Sequence, residues 1–80
     1  MRIEFTKSSR RHRIAKGRAL WVIIHTASEL TFDSGRTEVK WIGKDNRGLE
    51  LEIIGVIEEE KVLILHVMPY SFRRKYEKKI

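Results

Sequence analysis

Residues 49–68 read LELEIIGVIEEEKVLILHVM, and this stretch decides the fold because it holds two strand patterns joined by a turn. In its first five residues apolar and acidic side chains alternate, so the leucines and Ile53 are predicted to face a core while Glu50 and Glu52 face water. Residues 61–68 are almost wholly apolar, which is typical of a central strand. With three glutamates as the turn between them, the two strands are predicted to form an antiparallel hairpin.

The segments on either side extend this hairpin. Residues 37–43 alternate and predict a third strand, and residues 44–48 (KDNRG) carry a hairpin turn signal because Asp, Asn and Gly tolerate left-handed backbone. After the last strand, Pro69 removes a hydrogen-bond donor and ends the pairing. Ser71 is predicted to cap a closing helix. The sheet is therefore predicted to be a three-stranded antiparallel meander.

The first third of the chain is predicted to be helical. Thr6 is interpreted as the cap of a first helix that ends near Ile14. Apolar residues at helical spacing, among them Ile24, predict a second and buried helix from about Lys16 to Thr26, although the same stretch would also serve as a buried strand. The predicted fold class is α+β, with N-terminal helices and a C-terminal helix packed on a small antiparallel sheet.

Length and charge limit what the protein can be. The chain has 80 residues, no cysteine and a net charge of +6, which indicates one small domain over residues 1–80 and a polyanionic partner. Residues 1–18 hold seven basic residues and one acid, residues 61–80 hold six and one, and the middle holds four and nine. No signal peptide or membrane-spanning run is present in this sequence, so a cytoplasmic protein without a membrane partner is predicted.

Two basic clusters are candidates for binding phosphate groups. The first lies in the predicted first helix and consists of Arg10, Arg11 and Arg13. The second lies in the closing helix and consists of Arg73, Arg74, Lys75 and Tyr76. Arginine and lysine neutralise phosphates, and a tyrosine ring can stack on a base. A fold that brings the two chain ends together would join both clusters into one positive face, whereas the alternative for the closing helix is a solvated charged tail.

The histidines are the candidates for proton transfer. His66 ends the predicted central strand beside the basic helix, where a group that titrates near neutral pH could move a proton, and a buried structural histidine is the alternative. His12 is interpreted as a phosphate contact or a surface residue rather than a catalyst. His25 is interpreted as a structural residue or one that stabilises the end of its helix. Because these histidines lack metal-ligand spacing, no metal site and no cofactor are predicted.

The order of these elements resembles the small BrnT-like toxins of the RelE/ParE superfamily, from type II toxin–antitoxin systems. Order and spacing carry the resemblance, which covers most of the chain, and no single motif is specific. The matching stretches are FTKS at 5–8, WIG at 41–43, RGLELEI at 47–53, HVMP at 66–69 and FRRKY at 72–76.

This resemblance implies a metal-independent endoribonuclease that cleaves free or ribosome-bound RNA by attack of the ribose 2′-hydroxyl. A cognate antitoxin would cover the site, and operator DNA would be bound only by the complex. The catalytic residues carried over are Arg73, Arg74 and Tyr76, with His66 as the acid–base candidate. Lys75 and the first basic cluster would bind the flanking RNA.

One departure from the family pattern leaves two interpretations open. Where these toxins carry an arginine after the last strand, this chain has the sequence VMP at 67–69. Either His66 takes over that role or the catalytic activity is lost. Two other functions would use the same basic faces, namely a non-catalytic RNA- or DNA-binding module and a toxin that acts by binding a protein.

Overall fold

The computed structural model describes residues 2–77, with side chains described as far as Arg73, and most of it is a five-stranded mixed sheet. The elements in chain order are β1 (Arg2–Phe5), a 3-10 turn (Ser8–Arg10), α1 (Lys16–His25), β2 (Ser28–Asp33), β3 (Arg36–Lys44), β4 (Glu50–Glu58), β5 (Lys61–Pro69) and α2 (Tyr70–Glu77). The strand order is β1-β5-β4-β3-β2, in which β1 runs parallel to β5 and all other pairs are antiparallel.

The predicted fold class is therefore wrong. The first predicted helix is only the 3-10 turn Ser8–Arg10, and the chain before it is strand β1. The Thr6 hydroxyl does not cap a helix, because it donates a hydrogen bond to the carbonyl oxygen of Ile64 at 2.7 Å. Instead of several N-terminal helices on a small antiparallel sheet, one N-terminal helix packs on a larger mixed sheet.

The predicted three-stranded meander is also too short, because β2 adds a fourth antiparallel strand. The turn between β2 and β3 consists of Ser34 and Gly35, with φ angles of 52° and 77°. Two successive positive φ angles suit the twist of a two-residue hairpin, so the chain pairs directly on either side of this turn. Asp33 and Arg36 are the first pair, and the ladder continues without a bulge to Ser28.

Helix α1 lies where the sequence predicted it, but with a different side toward the sheet. Ala19 and Val22 are fully buried, whereas Ile24 is 73% exposed, so the expectation that Ile24 is a core residue is wrong. Trp21 of the same helix is 43% exposed. Nine residues form the buried apolar cluster: Ala19, Val22, Val39, Trp41, Leu51, Ile53, Val62, Ile64 and Val67. The side of the sheet that α1 covers is called the α1 face below.

The predicted turn between β3 and β4 is confirmed, and it is tied to α1. Asp45 accepts hydrogen bonds from the backbone N–H groups of Arg47 and Leu49 at 2.8 and 3.0 Å. Arg18 of α1 donates from Nε to the same buried carboxylate at 2.6 Å. Burial alone would raise the pKa of Asp45, but these donors outweigh it and hold the pKa below its ordinary value. The ion pair thus fixes the start of α1 on the sheet.

Candidate functional site

A bulge in β5 directs one histidine away from the core. Ile54 of β4 pairs with His66, and the next residue, Gly55, pairs with Ile64, so Leu65 is an extra residue in β5. Ile64 is fully buried on the α1 face. Because the extra residue shifts the side-chain alternation, His66 lies on the opposite side of the sheet, called the cleft face below.

The segment after β1 is fastened over this bulge by three hydroxyl groups. The pairing of β1 with β5 ends at Ile64, whose carbonyl accepts the Thr6 hydroxyl. Ser8 then donates from Oγ to the carbonyl oxygen of Leu65 at 3.0 Å. Ser9 is buried and donates from Oγ to the carbonyl of Thr6 at 2.6 Å. These bonds hold the 3-10 turn against β5, and the turn delivers the next residues to His66.

A cleft of about 600 Å³ lies between the 3-10 turn and β5. Ser8, Arg11 and His12 line one side of it, and residues 65–68 of β5 line the other. The rings of His12 and His66 meet edge to face, with centroids 6.4 Å apart. Phe72 of α2 supports the His12 ring in a second edge-to-face contact at 5.5 Å. Two titratable rings and an arginine therefore share one cleft.

Glu52 is buried beneath His66, where the sequence placed it in water. It is 1% exposed, and its Oε1 lies 3.3 Å from Nε2 of His66. Its other oxygen, Oε2, accepts a hydrogen bond from Nη1 of Arg73. The alternation in β4 correctly predicts that Glu52 points away from the α1 face. On the cleft face, however, α2 contacts β4. The prediction that Glu52 faces water is therefore wrong, because the cleft face is covered there.

The surroundings of His66 favour its neutral form. Burial lowers the pKa of His66 below its ordinary value of 6.5, and the charges of His12 and Arg73 act in the same direction. The Glu52 carboxylate raises this pKa without reversing the shift. Nε2 is buried and makes no well-aligned hydrogen bond with any described residue. A neutral His66 at pH 7 is suited to accepting a proton.

The predicted first basic cluster is only partly at the cleft. Arg11 lines it, but Arg10 and Arg13 are exposed outside its lining. Arg13 has a φ of 57°, a left-handed conformation that is uncommon for a residue with a side chain. This conformation accompanies the change from the 3-10 turn to α1, so the three arginines do not form the one helical face that the sequence predicted.

The second basic cluster is described only at its first residue. Arg73 is half-buried and is paired with Glu52, so part of its charge is balanced within the protein. The backbone of residues 74–76 lies in α2. The side chains of Arg74, Lys75 and Tyr76, which were predicted as site residues, lie outside the described part of the structure.

The positions of two residues at the cleft were not predicted from the sequence: Glu52 was expected in water, and His12 was expected as a phosphate contact or surface residue rather than beside His66. Glu52 shares its face of β4 with Ile54 and Val56, and apolar neighbours on the same face could have indicated that it is covered. His12 had no such signal, because only the hydrogen bonds of Thr6 and Ser8 place its segment beside His66. His25 was interpreted more accurately: its Nδ1 donates to the carbonyl of Trp21 in the last turn of α1, at 2.8 Å.

Two searches of the described residues bear on other functions. No group of three or more His, Asp or Glu side chains within residues 2–73 is arranged to hold a metal ion. None of the helices described here is long and apolar enough to cross a membrane.

Comparisons with known proteins assign no family to this site. No protein-family model matches the chain, and no curated protein or solved structure is significantly similar to it. A function for the cleft must therefore be inferred from its own chemistry.

Proposed function

We propose that this protein is an endoribonuclease that cleaves RNA through the ribose 2′-hydroxyl, using His66 as general base and His12 as general acid. The single observation that carries the proposal is the edge-to-face pair of these rings, 6.4 Å apart in a cleft that Arg11 also lines. Two histidines on one cleft can serve the two proton transfers that this reaction needs, and an adjacent arginine can balance the phosphate charge.

The contact of Glu52 with His66 supports the base role proposed for His66. Its carboxylate lies against Nε2, which favours the neutral tautomer with the proton on Nε2. Nδ1 is then the basic nitrogen of the ring. Since the pKa of His66 is lowered by burial, the ring is neutral and ready to accept a proton at pH 7. Glu52 is thus a positioning residue, which acts through His66 rather than on the RNA.

The reaction follows from these roles. Nδ1 of His66 accepts the proton of the 2′-hydroxyl while the 2′-oxygen forms a bond to the adjacent phosphorus. The bond from phosphorus to the 5′-oxygen breaks, and His12 in its protonated form gives a proton to that oxygen. The products are a 2′,3′-cyclic phosphate and a 5′-hydroxyl. Arg11 is placed to stabilise the charge that develops on the non-bridging oxygens.

The biological setting is part of the same proposal. The sequence resemblance implies a toxin of a type II toxin–antitoxin system, acting in the cytoplasm. The predicted order of elements behind that resemblance is not the observed order, so this setting rests on the spacing of the matching stretches and on the chemistry of the cleft. The cognate antitoxin would cover the cleft, and operator DNA would be contacted only by the complex of both chains. Growth arrest on expression, relieved by the product of the adjacent reading frame, is the observation that would link the cleft to this setting.

A non-catalytic RNA- or DNA-binding module is the second candidate. It is favoured by the buried Nε2 edge of His66, which is what a structural histidine would show. In that case Arg11 and the exposed basic residues would bind phosphates, and His66 would only fill the space above Glu52.

Cleavage of an end-labelled single-stranded RNA separates the two candidates. His66→Gln and His12→Gln are each expected to reduce the cleavage rate by about 10²- to 10⁴-fold, because each removes one proton transfer. Binding of a 2′-deoxy analogue, which cannot be cut, should change far less. His25→Gln is the matched control, since His25 lies on α1 and bonds to Trp21, and it should leave the rate unchanged.

The outcome that refutes catalysis is equally definite. If the folded wild type binds the 2′-deoxy analogue but yields no cyclic phosphate from RNA, the non-catalytic module is the better conclusion. If cleavage occurs but neither cleft variant slows it more than His25→Gln does, the reaction takes place elsewhere on the protein.

A further inference from the structure

Large apolar side chains are exposed along the edge of the sheet farthest from the cleft. Phe32 and Leu30 of β2 are 80% and 60% exposed, and Ile24 and Trp21 of α1 are 73% and 43% exposed. Leu30 and Phe32 pair with Val39 and Thr37 of β3, and buried Val39 places them on the α1 face. Leu30, Phe32 and the β2 backbone are called the open edge below. An apolar group of this kind is typical of an interaction site.

The open edge lacks three of the devices that often protect an edge strand, namely proline, lysine and a bulge. Residues 28–33 read SELTFD and contain no proline and no lysine. Their pairing with β3 is regular over the whole strand, with no bulge. Antiparallel pairing uses the backbone groups of every other residue, so the alternate groups of β2 point outward without a strand beside them in the described structure. A strand of this kind is a template for adding another strand.

The charges on β2 restrict how a second copy could pair with it. In a two-fold dimer, both α1 faces lie on the same side of the joined sheet only if even-numbered residues lie opposite even-numbered residues and odd-numbered residues opposite odd-numbered ones. If Thr31 lies opposite Thr31, Glu29 of each copy lies opposite Asp33 of the other. If Glu29 lies opposite Glu29, two glutamates face each other. With Leu30 opposite Leu30, Glu29 faces Thr31 and Ser28 faces Phe32. This register avoids like charges and pairs residues 28–32 of both copies.

We propose that the protein forms a two-fold dimer in which β2 pairs antiparallel with β2 of a second copy, with Leu30 opposite Leu30. The two leucines then shield each other on the α1 face. Phe32 comes to lie beside Ser28 of the second copy, which follows the end of the partner's α1 by only a few residues. The exposed Ile24 precedes Ser28 by four residues in the chain and is an apolar side chain that Phe32 of the other copy could contact.

The dimer goes beyond the proposed ribonuclease function and does not depend on it. It joins two five-stranded sheets into one sheet of ten strands. His66 and Glu52 lie on the cleft face of β5 and β4, whereas the paired strands lie at the other edge. Both clefts therefore stay open in the dimer, on the side of the sheet away from α1.

Single cysteine variants test both the dimer and its register, because the chain has no cysteine of its own. Leu30→Cys is expected to form a covalent dimer on mild oxidation, since only at this position do identical residues face each other closely. Thr31→Cys and Phe32→Cys should not, because in this register they face Glu29 and Ser28. Leu49→Cys is the control for random oxidation, as Leu49 is 39% exposed in the β3–β4 turn.

Light scattering after size-exclusion chromatography provides the second measurement. The wild type is expected to be dimeric, and Leu30→Lys should weaken the dimer by at least about tenfold because it sets two like charges opposite each other. Leu49→Lys should leave it dimeric. A monomeric wild type at high protein concentration would overturn the proposal and leave the open edge to a different protein. Crosslinking of Thr31→Cys or Phe32→Cys in place of Leu30→Cys would overturn the register.

Discussion

The β1 side and the β2 side of the sheet differ in which side chains lie there. At the β1 edge, a short parallel strand and the 3-10 turn cover β5, and hydroxyl groups of Thr6 and Ser8 bond to its carbonyls. At the β2 edge nothing in the described structure covers the strand, and Leu30 and Phe32 are exposed. Polar and titratable groups thus gather beside β5, and exposed apolar side chains lie along β2. The comparison shows that the cleft and the open edge lie in separate parts of one small sheet.

The largest expected effect tests the buried charges beneath the cleft, on β4 and α2. Arg73→Met removes the cation beside buried Glu52, and the free energy of unfolding should fall by about 2–4 kcal/mol. Adding Glu52→Gln to this variant should restore most of the loss, because the uncompensated charge is then absent. Chemical denaturation measures both effects.

Arg36→Met is the control on the open side of the sheet, since Arg36 is exposed at the start of β3. A change within about 0.5 kcal/mol is expected there. If Arg73→Met were equally harmless, the Glu52–Arg73 pair would contribute nothing to stability, and the contrast between the cleft side and the β2 side of the sheet would not lie in buried charge.

A smaller effect tests the hydroxyl bonds over the bulge. Thr6→Val keeps the shape of the side chain but removes the hydrogen bond to Ile64, so the free energy of unfolding should fall by about 1 kcal/mol. The same chemical change at Thr31, an exposed residue of β2, should have an effect within about 0.5 kcal/mol.

Amide hydrogen exchange shows where in the chain Thr6→Val loosens the structure. Thr6→Val should speed exchange in residues 6–12, because the 3-10 turn is then held less firmly on β5. Equal exchange in both proteins would mean that the turn is held by contacts other than these hydroxyls.

The smallest effect is the dependence of stability on pH. Because burial lowers the pKa of His66, the unfolded chain binds this proton before the folded protein does. Stability should therefore decrease as the pH falls below about 6.5, by at most about 1.4 kcal/mol per pH unit for this one group. His66→Gln should remove that part of the slope.

Nuclear magnetic resonance titration of the His66 ring tests which charges shift its pKa. Glu52→Gln should lower its pKa further, and Arg73→Gln should raise it, because the two charges act in opposite directions. A His66 pKa at or above 6.5 in the wild type would contradict the predicted dependence of stability on pH.

Local patterns in the sequence were sufficient for several elements. The β3–β4 turn follows from Asp45 and Gly48, the strands β4 and β5 from their apolar patterns, and α1 from helical spacing. In each case neighbouring residues supply the reason, through backbone preferences and side-chain periodicity. The concentration of basic charge at the two chain ends is likewise a property of the sequence alone.

Local patterns were misleading where distant residues compete for the same groups. The hydroxyls of Thr6 and Ser8 favour a helix cap when only neighbours are considered, but the carbonyls of β5 accept them in the folded chain. Glu52 alternates as a water-facing residue should, and only the docking of α2 and Arg73 encloses it. Ile24 has the spacing of a core residue, but the small side chain of Ala19 turns toward the sheet instead.

The candidate site shows most clearly which features follow from local sequence and which depend on contacts between distant residues. The sequence by itself determined that His66 ends an apolar strand and that arginines lie near both chain ends. Only the tertiary structure decided that His12 meets His66, because the bulge at Leu65 and the turn above it are far apart in sequence from each other. Sequence periodicity fixes which face a side chain takes within its own element, whereas contact between elements depends on long-range hydrogen bonds and packing that no local pattern contains.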